Sequence, residues 1–226
     1  MSPCREMIAI IQAQLPRVLA VRSERLQKED ESYVTEADIL IQELVASYVS
    51  SSLPQHTLIS EEQDNSEIDF TGQGYFVVVD PLDGTENFTS GLKEWGVGIS
   101  IFSNGKHMES AIYLPEMGEQ LVTGDTVKKF QSRIHGLSSS LKKEDLGFIE
   151  AGFEYRIMGC SMYNMFNAMR GSYRVFENVK GVNSWDILPG VNLALEHGCL
   201  VEVNGDAYDG HFLPPDTKYR VKIQNR

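Results

Sequence analysis

The chain has 226 residues with a formal net charge of −12, and 42% of its residues are hydrophobic. This length and composition are typical of one globular domain and exclude a mostly disordered, collagen-like or coiled-coil protein. The negative charge disfavours a nucleic-acid partner, and no stretch reaches the roughly 18 uncharged apolar residues of a membrane span.

Hydrophobic periodicity and turn residues define the predicted elements. Pro16 predicts a kink or a late start in the first helix, and Thr35 is predicted to cap the second helix with Asp38 as its third residue. Asn104-Gly105 predicts a hairpin turn, and Gly198 ends the last helix. In chain order we predict a helix over 5–27, a helix after Thr35, strands over 57–59, 75–79, 96–102, 107–113 and 119–123, a short strand from Phe148, a helix over 161–170, a strand over 173–176, a helix over 183–197 and a last strand over 199–203.

The alternation of these helices and strands is irregular. It favours a layered mixed α/β (α+β) architecture over a simple doubly wound sheet. We expect a single domain over 1–226, with a metal-binding N-terminal half over 1–123 and a C-terminal half over 146–226. The polar residues between the two halves, 124–145, are expected to form a mobile connection.

The most informative motif is Asp80-Pro-Leu-Asp-Gly-Thr85, which follows a strand expected to be buried on both faces. Pro81 cannot extend a strand ladder, and Gly84 permits a tight turn. Such a turn can direct Asp80 and Asp83 into one volume and leave the carbonyl of Leu82 accessible. Carboxylates and a carbonyl are hard oxygen ligands of the kind that Mg²⁺ takes, so the motif is a candidate metal site.

Three other places carry an acid at the end of a strand or the start of a helix. Each has an ordinary explanation alone: Glu61-Glu62 as a solvated loop, Asp186 as a helix N-cap, and Asp38 as a favourable charge in a first helical turn. Ligand sites of α/β proteins gather at such places, so their co-occurrence favours one shared site.

These motifs together resemble the inositol monophosphatase family, part of the inositol monophosphatase/fructose-1,6-bisphosphatase superfamily. The resemblance rests on Glu61-Glu62, the Asp80–Phe88 segment and Trp185-Asp186, with a helix that ends in Glu196-His-Gly198, and it runs from about 34 to 203. It implies an αβαβα sandwich and a Mg²⁺-dependent, lithium-sensitive phosphomonoesterase with two or three metal ions. The favoured substrate is inositol monophosphate or a related polyol or sugar phosphate, hydrolysed by a metal-activated water.

The resemblance also implies the roles of individual residues. The implied metal ligands are Glu61, Asp80, Leu82 through its carbonyl, Asp83 and Asp186. The implied catalytic residues are Glu61, Thr85 and Asp38, with Thr85 and Asp38 paired and Glu61 helping to orient the attacking water. The implied substrate-binding residues are Asp83, Gly84, Thr85, Gly159, Cys160, Ser161, Glu177 and Asp186.

The sequence departs from the family pattern in three places. It is short around 124–146, it is lengthened between Glu177 and Trp185, and it carries Leu188-Pro189 where small residues are usual. Pro189 is tolerable if Asp186 is the N-cap, since the first helical turn has free N–H groups. These departures leave the metal acids intact and affect the expected substrate wall.

Several alternatives stay open on the sequence alone. The same site could hydrolyse 3′-phosphoadenosine 5′-phosphate, histidinol phosphate or fructose 1,6-bisphosphate, or the chain could be a non-catalytic metal-binding homologue. A haloacid-dehalogenase-type phosphatase is disfavoured, because it needs a second Asp two residues after the first, whereas Asp83 follows Asp80 by three.

Cysteine content and family likeness give the remaining expectations. Cys4, Cys160 and Cys199 are odd in number and widely spaced, which favours a reducing, cytoplasmic setting without disulfides. The resemblance implies a homodimer that binds a small phosphorylated alcohol.

Overall fold

We analysed a computed structural model of the chain, which describes residues 1–23, 25–27, 33–70, 73–139, 141–147, 149 and 151–226. The six α-helices of this part are α1 Pro3–Ala13, α2 Leu15–Ala20, α3 Glu36–Ser52, α4 Thr85–Thr89, α5 Ser161–Met169 and α6 Ser184–Glu196. The strands are β1 Arg25–Gln27, β2 Tyr33–Thr35, β3 His56–Ser60, β4 Tyr75–Asp83, β5 Gly96–Ser103, β6 Lys106–Leu114, β7 Glu119–Val122, β8 Ile134–Leu137, β9 Glu154–Ile157, β10 Val175–Val182, β11 Leu200–Val203, β12 Asp206–Ala207 and β13 Tyr219–Gln224.

Two mixed sheets form the framework. The first has the strand order β3-β4-β5-β6-β7, and the second has the order β12-β11-β13-β10-β8-β9. Helices α1 to α3 share a hydrophobic cluster with one face of the first sheet, whereas α5 and α6 contact both sheets and lie between them. The predicted mixed α/β class and its alternating helix and sheet layers are confirmed.

One connection of the second sheet differs from the layering that the resemblance implies. Strands β8 and β9 are parallel neighbours. The described parts of the connection between them contain a 3₁₀ turn, Lys143–Leu146, and no α-helix. In the described ranges no α-helix therefore supplies the fifth layer implied by the resemblance. This connection, over 138–153, overlaps the region around 124–146 that is short in sequence. The strand predicted from Phe148 begins outside the described residues.

The helix starts follow local chemistry. The helical segment predicted over 5–27 divides into α1 and α2, because Pro16 lies in the first turn of α2. Its predicted end is wrong, since α2 ends at Ala20 and Arg25–Gln27 forms β1. Thr35 caps α3 as predicted: its hydroxyl accepts from the backbone N–H groups of Ala37 and Asp38, while the Asp38 carboxylate accepts from the Thr35 N–H.

Helix α6 starts earlier than the Asp186 N-cap interpretation required. Its N-cap is Asn183, Asp186 is the third helical residue, and Pro189 therefore lies inside the helix. Gly98 on β5 leaves room for the proline ring, because a Cβ at Gly98 would lie 2.9 Å from the Pro189 Cγ.

The sequence analysis missed several strands, namely β1, β2, β8, β12 and β13. Strand β8 lies inside the polar stretch expected to be a mobile connection, and β13 follows the segment predicted as the last strand. Strand β13 pairs with both β10 and β11 and so lies inside the second sheet. Its buried Tyr219, Val221 and Ile223 alternate with charged residues, which is the period-2 pattern of a strand with one buried face.

Candidate metal centre

The Asp80–Thr85 motif forms a bulged strand end. Asp80 pairs with Gly98 and Asp83 with Gly96, so β4 has one residue more than β5 between these pairs. A bulge is where a strand accommodates a proline, here Pro81. The Asp80 carboxylate accepts from the Leu82 N–H at 3.2 Å, and the Thr85 hydroxyl donates to the Leu82 carbonyl at 3.2 Å.

Gly84 makes the turn possible and allows the two halves of the molecule to approach. Its φ is +87°, a left-handed conformation that favours glycine. A Cβ at this position would lie 3.1 Å from the Cys160 Cβ and 3.2 Å from the Glu94 carbonyl oxygen. The motif is therefore packed directly against the N-terminus of α5.

Three predicted metal ligands converge. Glu61 follows β3, Asp80 ends the regular part of β4, and Asp186 lies in the first turn of α6. One carboxylate oxygen from each lies within 4.8 Å of the other two, and no other group of three His, Cys, Asp or Glu residues in the described ranges does so. Asp80 is fully buried, and within the described part of the chain its Oδ2 has no hydrogen-bond partner.

The electrostatics of this cluster favour a cation. Burial raises the pKa of Asp80 well above its usual range, and the carboxylates of Glu61 and Asp83 raise it further. Burial likewise raises the pKa of Asp186, again with contributions from Glu61 and Asp83. Clustered carboxylates with an unsatisfied buried oxygen fit a hard divalent ion, which neutralises them and takes oxygen ligands.

Asp83 lies beside this cluster, but one of its oxygens is held by α5. Its Oδ2 accepts from the Cys160 thiol at 3.0 Å and from the Met162 backbone N–H at 2.5 Å. Burial raises the pKa of Asp83, and these hydrogen bonds act in the opposite direction. Asp83 thus connects the bulged turn of the first sheet to the helix layer between the sheets.

Asp38 and Thr85, predicted as a pair, each bond to another group. The Asp38 Oδ2 accepts hydrogen bonds from the Thr35 N–H at 2.8 Å and from the Thr35 hydroxyl at 2.5 Å, which are contacts within the cap of α3. The Thr85 hydroxyl donates to the Leu82 carbonyl. Burial raises the pKa of Asp38 to about 6. Asp38 nevertheless contributes to the raised pKa of Asp80, so it belongs to the same electrostatic neighbourhood.

The structure brings part of the predicted substrate wall to this centre. Gly159, with a φ of +64°, and Cys160 precede α5, which begins at Ser161 beside Asp83. Glu177 has other neighbours: its carboxylate lies 3.4 Å from the His135 Nε2, and His135 and Lys222 lower its pKa. A role for Glu177 in substrate contact therefore stays a prediction without support from these contacts.

Three functional contacts were missed by the sequence analysis. The Met162 N–H bonds to Asp83, the Asn183 N–H donates to the Asp186 Oδ2 at 2.8 Å, and the charge of Lys218 lowers the pKa of Asp186. Asn183, three residues before Asp186, is a readable capping-box pattern. The other two contacts depend on tertiary packing and have no local signal.

A sequence model of the inositol monophosphatase family matches residues 1–143, more than half of the chain. The chain belongs to the inositol monophosphatase family. The matched segment contains Glu61 and the whole Asp80–Thr85 motif, so the family assignment and the observed carboxylate cluster coincide over the N-terminal half.

Curated relatives are similar at moderate identity. Nus factor SuhB of Escherichia coli K12 is 32% identical over 134 residues, which are 59% of this chain and 49% of that protein. The chain thus spans about half the length of this relative. Nus factor SuhB of Pseudomonas aeruginosa is 27% identical over 85% of this chain and 81% of that protein, and a histidinol-phosphatase of Chlorobaculum parvum is 35% identical over 41% and 34%.

Solved structures of the family confirm the fold. An IMPase/NADP phosphatase complexed with NADP and Ca²⁺ superposes with a TM-score of 0.83 at 20% identity, over 99% of this chain and 89% of the other. Two further similar structures are an IMPase/NADP phosphatase with Mg²⁺ and phosphate and a dual-specificity IMPase/NADP phosphatase with D-inositol-1-phosphate. Their TM-scores are 0.80 and 0.79 at 19% and 20% identity, over 99% and 98% of this chain and 89% of each matched chain.

Proposed function

We propose that this inositol monophosphatase homologue is a Mg²⁺-dependent phosphatase that hydrolyses a small phosphate monoester, inositol monophosphate or a related polyol or sugar phosphate. The observation that carries the proposal is the convergence of Glu61, Asp80 and Asp186 from three separate elements. Among them is a fully buried Asp80 oxygen that has no hydrogen-bond partner among the residues the structure describes. A purely structural role would leave this oxygen with a hydrogen-bond donor.

The residues of the centre divide into holding and orienting groups. Glu61, Asp80 and Asp186 would hold the cation, together with the Leu82 carbonyl, which has a second lone pair besides the one that accepts from Thr85. When bound, Mg²⁺ supplies positive charge to the phosphoryl oxygens and lowers the pKa of an attacking water. We propose that Thr85 and Glu61 orient this water.

The substrate side of the proposal rests on the surroundings of Asp83. The carboxylate of Asp83 and the backbone at Gly159, Cys160 and Ser161 line the junction between the bulged turn and α5, where the alcohol part of a substrate would lie. The similar structures with D-inositol-1-phosphate and with Mg²⁺ and phosphate support a phosphorylated polyol as the first substrate to test.

Other phosphate esters and other roles remain part of the test. The histidinol-phosphatase relative makes histidinol phosphate a reasonable second substrate. A cytoplasmic location and a homodimer stay proposals from the family. In the described residues no helix combines the length and hydropathy of a membrane span.

The test is a phosphate-release screen of the full chain with Mg²⁺ over inositol phosphates, sugar phosphates, nucleoside bisphosphates and histidinol phosphate. We expect release from at least one monoester, its loss on chelation, and a decrease of several orders of magnitude in Asp80→Asn with the fold retained. A matched control is Asp209→Asn, which removes an exposed carboxylate that bonds only to His211 in the described structure. Turnover unaffected by chelation, or a normal Asp80→Asn enzyme, would refute the proposal.

A further inference from the structure

A buried thiol lies between the candidate metal centre and helix α5. We propose that Cys160 is a positioning residue that fixes the orientation of the Asp83 carboxylate and thereby sets the cation affinity of the centre. This inference rests on the proposed function, since it takes the acid cluster to be a cation site.

The thiol links the backbone of α5 to the Asp83 carboxylate. The Cys160 Sγ accepts a hydrogen bond from the Tyr163 backbone N–H at 3.3 Å. It also donates to the Asp83 Oδ2 at 3.0 Å, and the same oxygen accepts from the Met162 N–H. The Ser161 backbone also bonds to this carboxylate, and the thiol is the one side-chain donor that the described structure shows among these three groups of one helix end, which together restrict rotation of the Asp83 carboxylate.

Packing keeps the thiol in this place. Cys160 is 2% exposed, and Gly84 lies so close that a Cβ there would be 3.1 Å from the Cys160 Cβ. The bulged turn and the N-terminus of α5 thus meet at this side chain. A change in its hydrogen bonding therefore acts on Asp83 and on the Tyr163 N–H.

A second observation ties this contact to a ligand site. The Asp80 Oδ2 is fully buried and has no hydrogen-bond partner in the described part of the chain, and Asp83 influences both Asp80 and Asp186 electrostatically. An Asp83 carboxylate free to rotate would spend part of its time away from this cluster. The centre would then lose some of its preorganisation for a cation.

The direct test measures Mg²⁺ binding to the chelator-treated protein by calorimetry, together with kcat and KM on the substrate found in the screen. Cys160→Ala removes the donor, and we expect Mg²⁺ affinity to fall about three- to tenfold, as loss of one hydrogen bond predicts. We expect kcat at fixed subsaturating Mg²⁺ to fall with it and KM to change less. Cys160→Ser keeps a donor and should restore Mg²⁺ affinity to within about twofold of wild type, because a hydroxyl donates in the same place.

Cys199→Ala is the matched control. Cys199 is another buried free cysteine, and its sulfur lies 3.9 Å from the Asn225 Nδ2. This truncation should lower the melting temperature and leave Mg²⁺ binding unchanged. It therefore separates the loss of a buried thiol from the loss of the Asp83 contact.

A second pair keeps the test decisive if Cys160→Ala fails to fold. Cys160→Thr and Cys160→Val have nearly the same shape, but only threonine has a donor. We expect the threonine variant to bind Mg²⁺ more tightly than the valine variant. The proposal is wrong if Cys160→Ala binds Mg²⁺ as tightly as Cys160→Ser and Cys160→Val binds it as tightly as Cys160→Thr, even if turnover is normal. A wild-type protein that binds no divalent cation would instead refute the proposed function itself.

Discussion

Replacing Asp38 by asparagine tests the electrostatics of the centre without deleting a side chain. Asp38 is 1% exposed, and both hydrogen bonds of its Oδ2 come from Thr35. Asparagine has the same shape, and its amide oxygen still accepts from the Thr35 N–H. The substitution therefore removes the charge and keeps the cap of α3.

The size of the effect follows from the pKa of Asp38. Burial moves this pKa from its ordinary value of 3.8 to about 6. Because the pKa is raised on folding, the unfolded chain loses this proton more readily, and stability decreases as the pH rises from about 4 to about 6. Above that range the ionised Asp38 costs the cation-free protein about 3 kcal/mol, the value that corresponds to this pKa difference.

We therefore expect cation-free Asp38→Asn to be about 3 kcal/mol more stable than wild type at pH 7.5, with the difference vanishing towards pH 4. Urea unfolding of chelator-treated protein across this pH range measures it. Asp64→Asn is the control, because Asp64 is exposed and its pKa is lowered by Ser66, so it should show no such gain. Parallel pH curves for Asp38→Asn and wild type would refute the reasoning.

Three further predictions concern the turn, the helix ends and Glu177. Gly84→Ala should lower the free energy of unfolding by about 2–4 kcal/mol in chemical denaturation, because backbone strain at φ +87° adds to the close contact with Cys160. Gly91→Ala is the control: its φ is +79°, but a Cβ there would meet no atom within 4 Å, so it should cost less. Equal costs would contradict the crowding at Gly84. Lys129→Met should lower the free energy of unfolding by about 1–2 kcal/mol in the same assay, because the Lys129 Nζ donates to the carbonyls of Met169 and His197 at the ends of α5 and α6. An unchanged denaturation midpoint would show that these hydrogen bonds contribute nothing. Glu177→Gln should change KM less than about twofold in steady-state kinetics, since this carboxylate contacts His135. A large increase in KM would instead support substrate contact by Glu177.

The acids of the centre could be predicted because their signals are local. Asp80-Pro-Leu-Asp-Gly-Thr85 determines its own turn through Pro81 and Gly84, and the acids after β3 and in α6 lie where chain elements end. The contact between Asp83 and the N-terminus of α5 joins residues 77 and 79 positions apart, so no local pattern reveals it.

The errors also have physical causes. Strand β13 has a readable alternation, but its place inside the second sheet depends on pairing with β10 and β11. The predicted helix start at 183 is confirmed, but the N-cap role considered for Asp186 is wrong, because Asn183 is the N-cap and Asp186 is the third residue of α6. The role of Glu177 stays a prediction, because it was assigned by likeness across a lengthened segment, where strand register decides which face a side chain occupies.

Soaking crystals of the chain with Mn²⁺ and mapping the anomalous scattering tests whether Glu61, Asp80 and Asp186 together hold a divalent cation. We predict a peak within coordination distance of all three carboxylates, absent in Asp80→Asn crystals treated in the same way. A wild-type map with no peak among these carboxylates, or Mn²⁺ bound only elsewhere, would contradict the account.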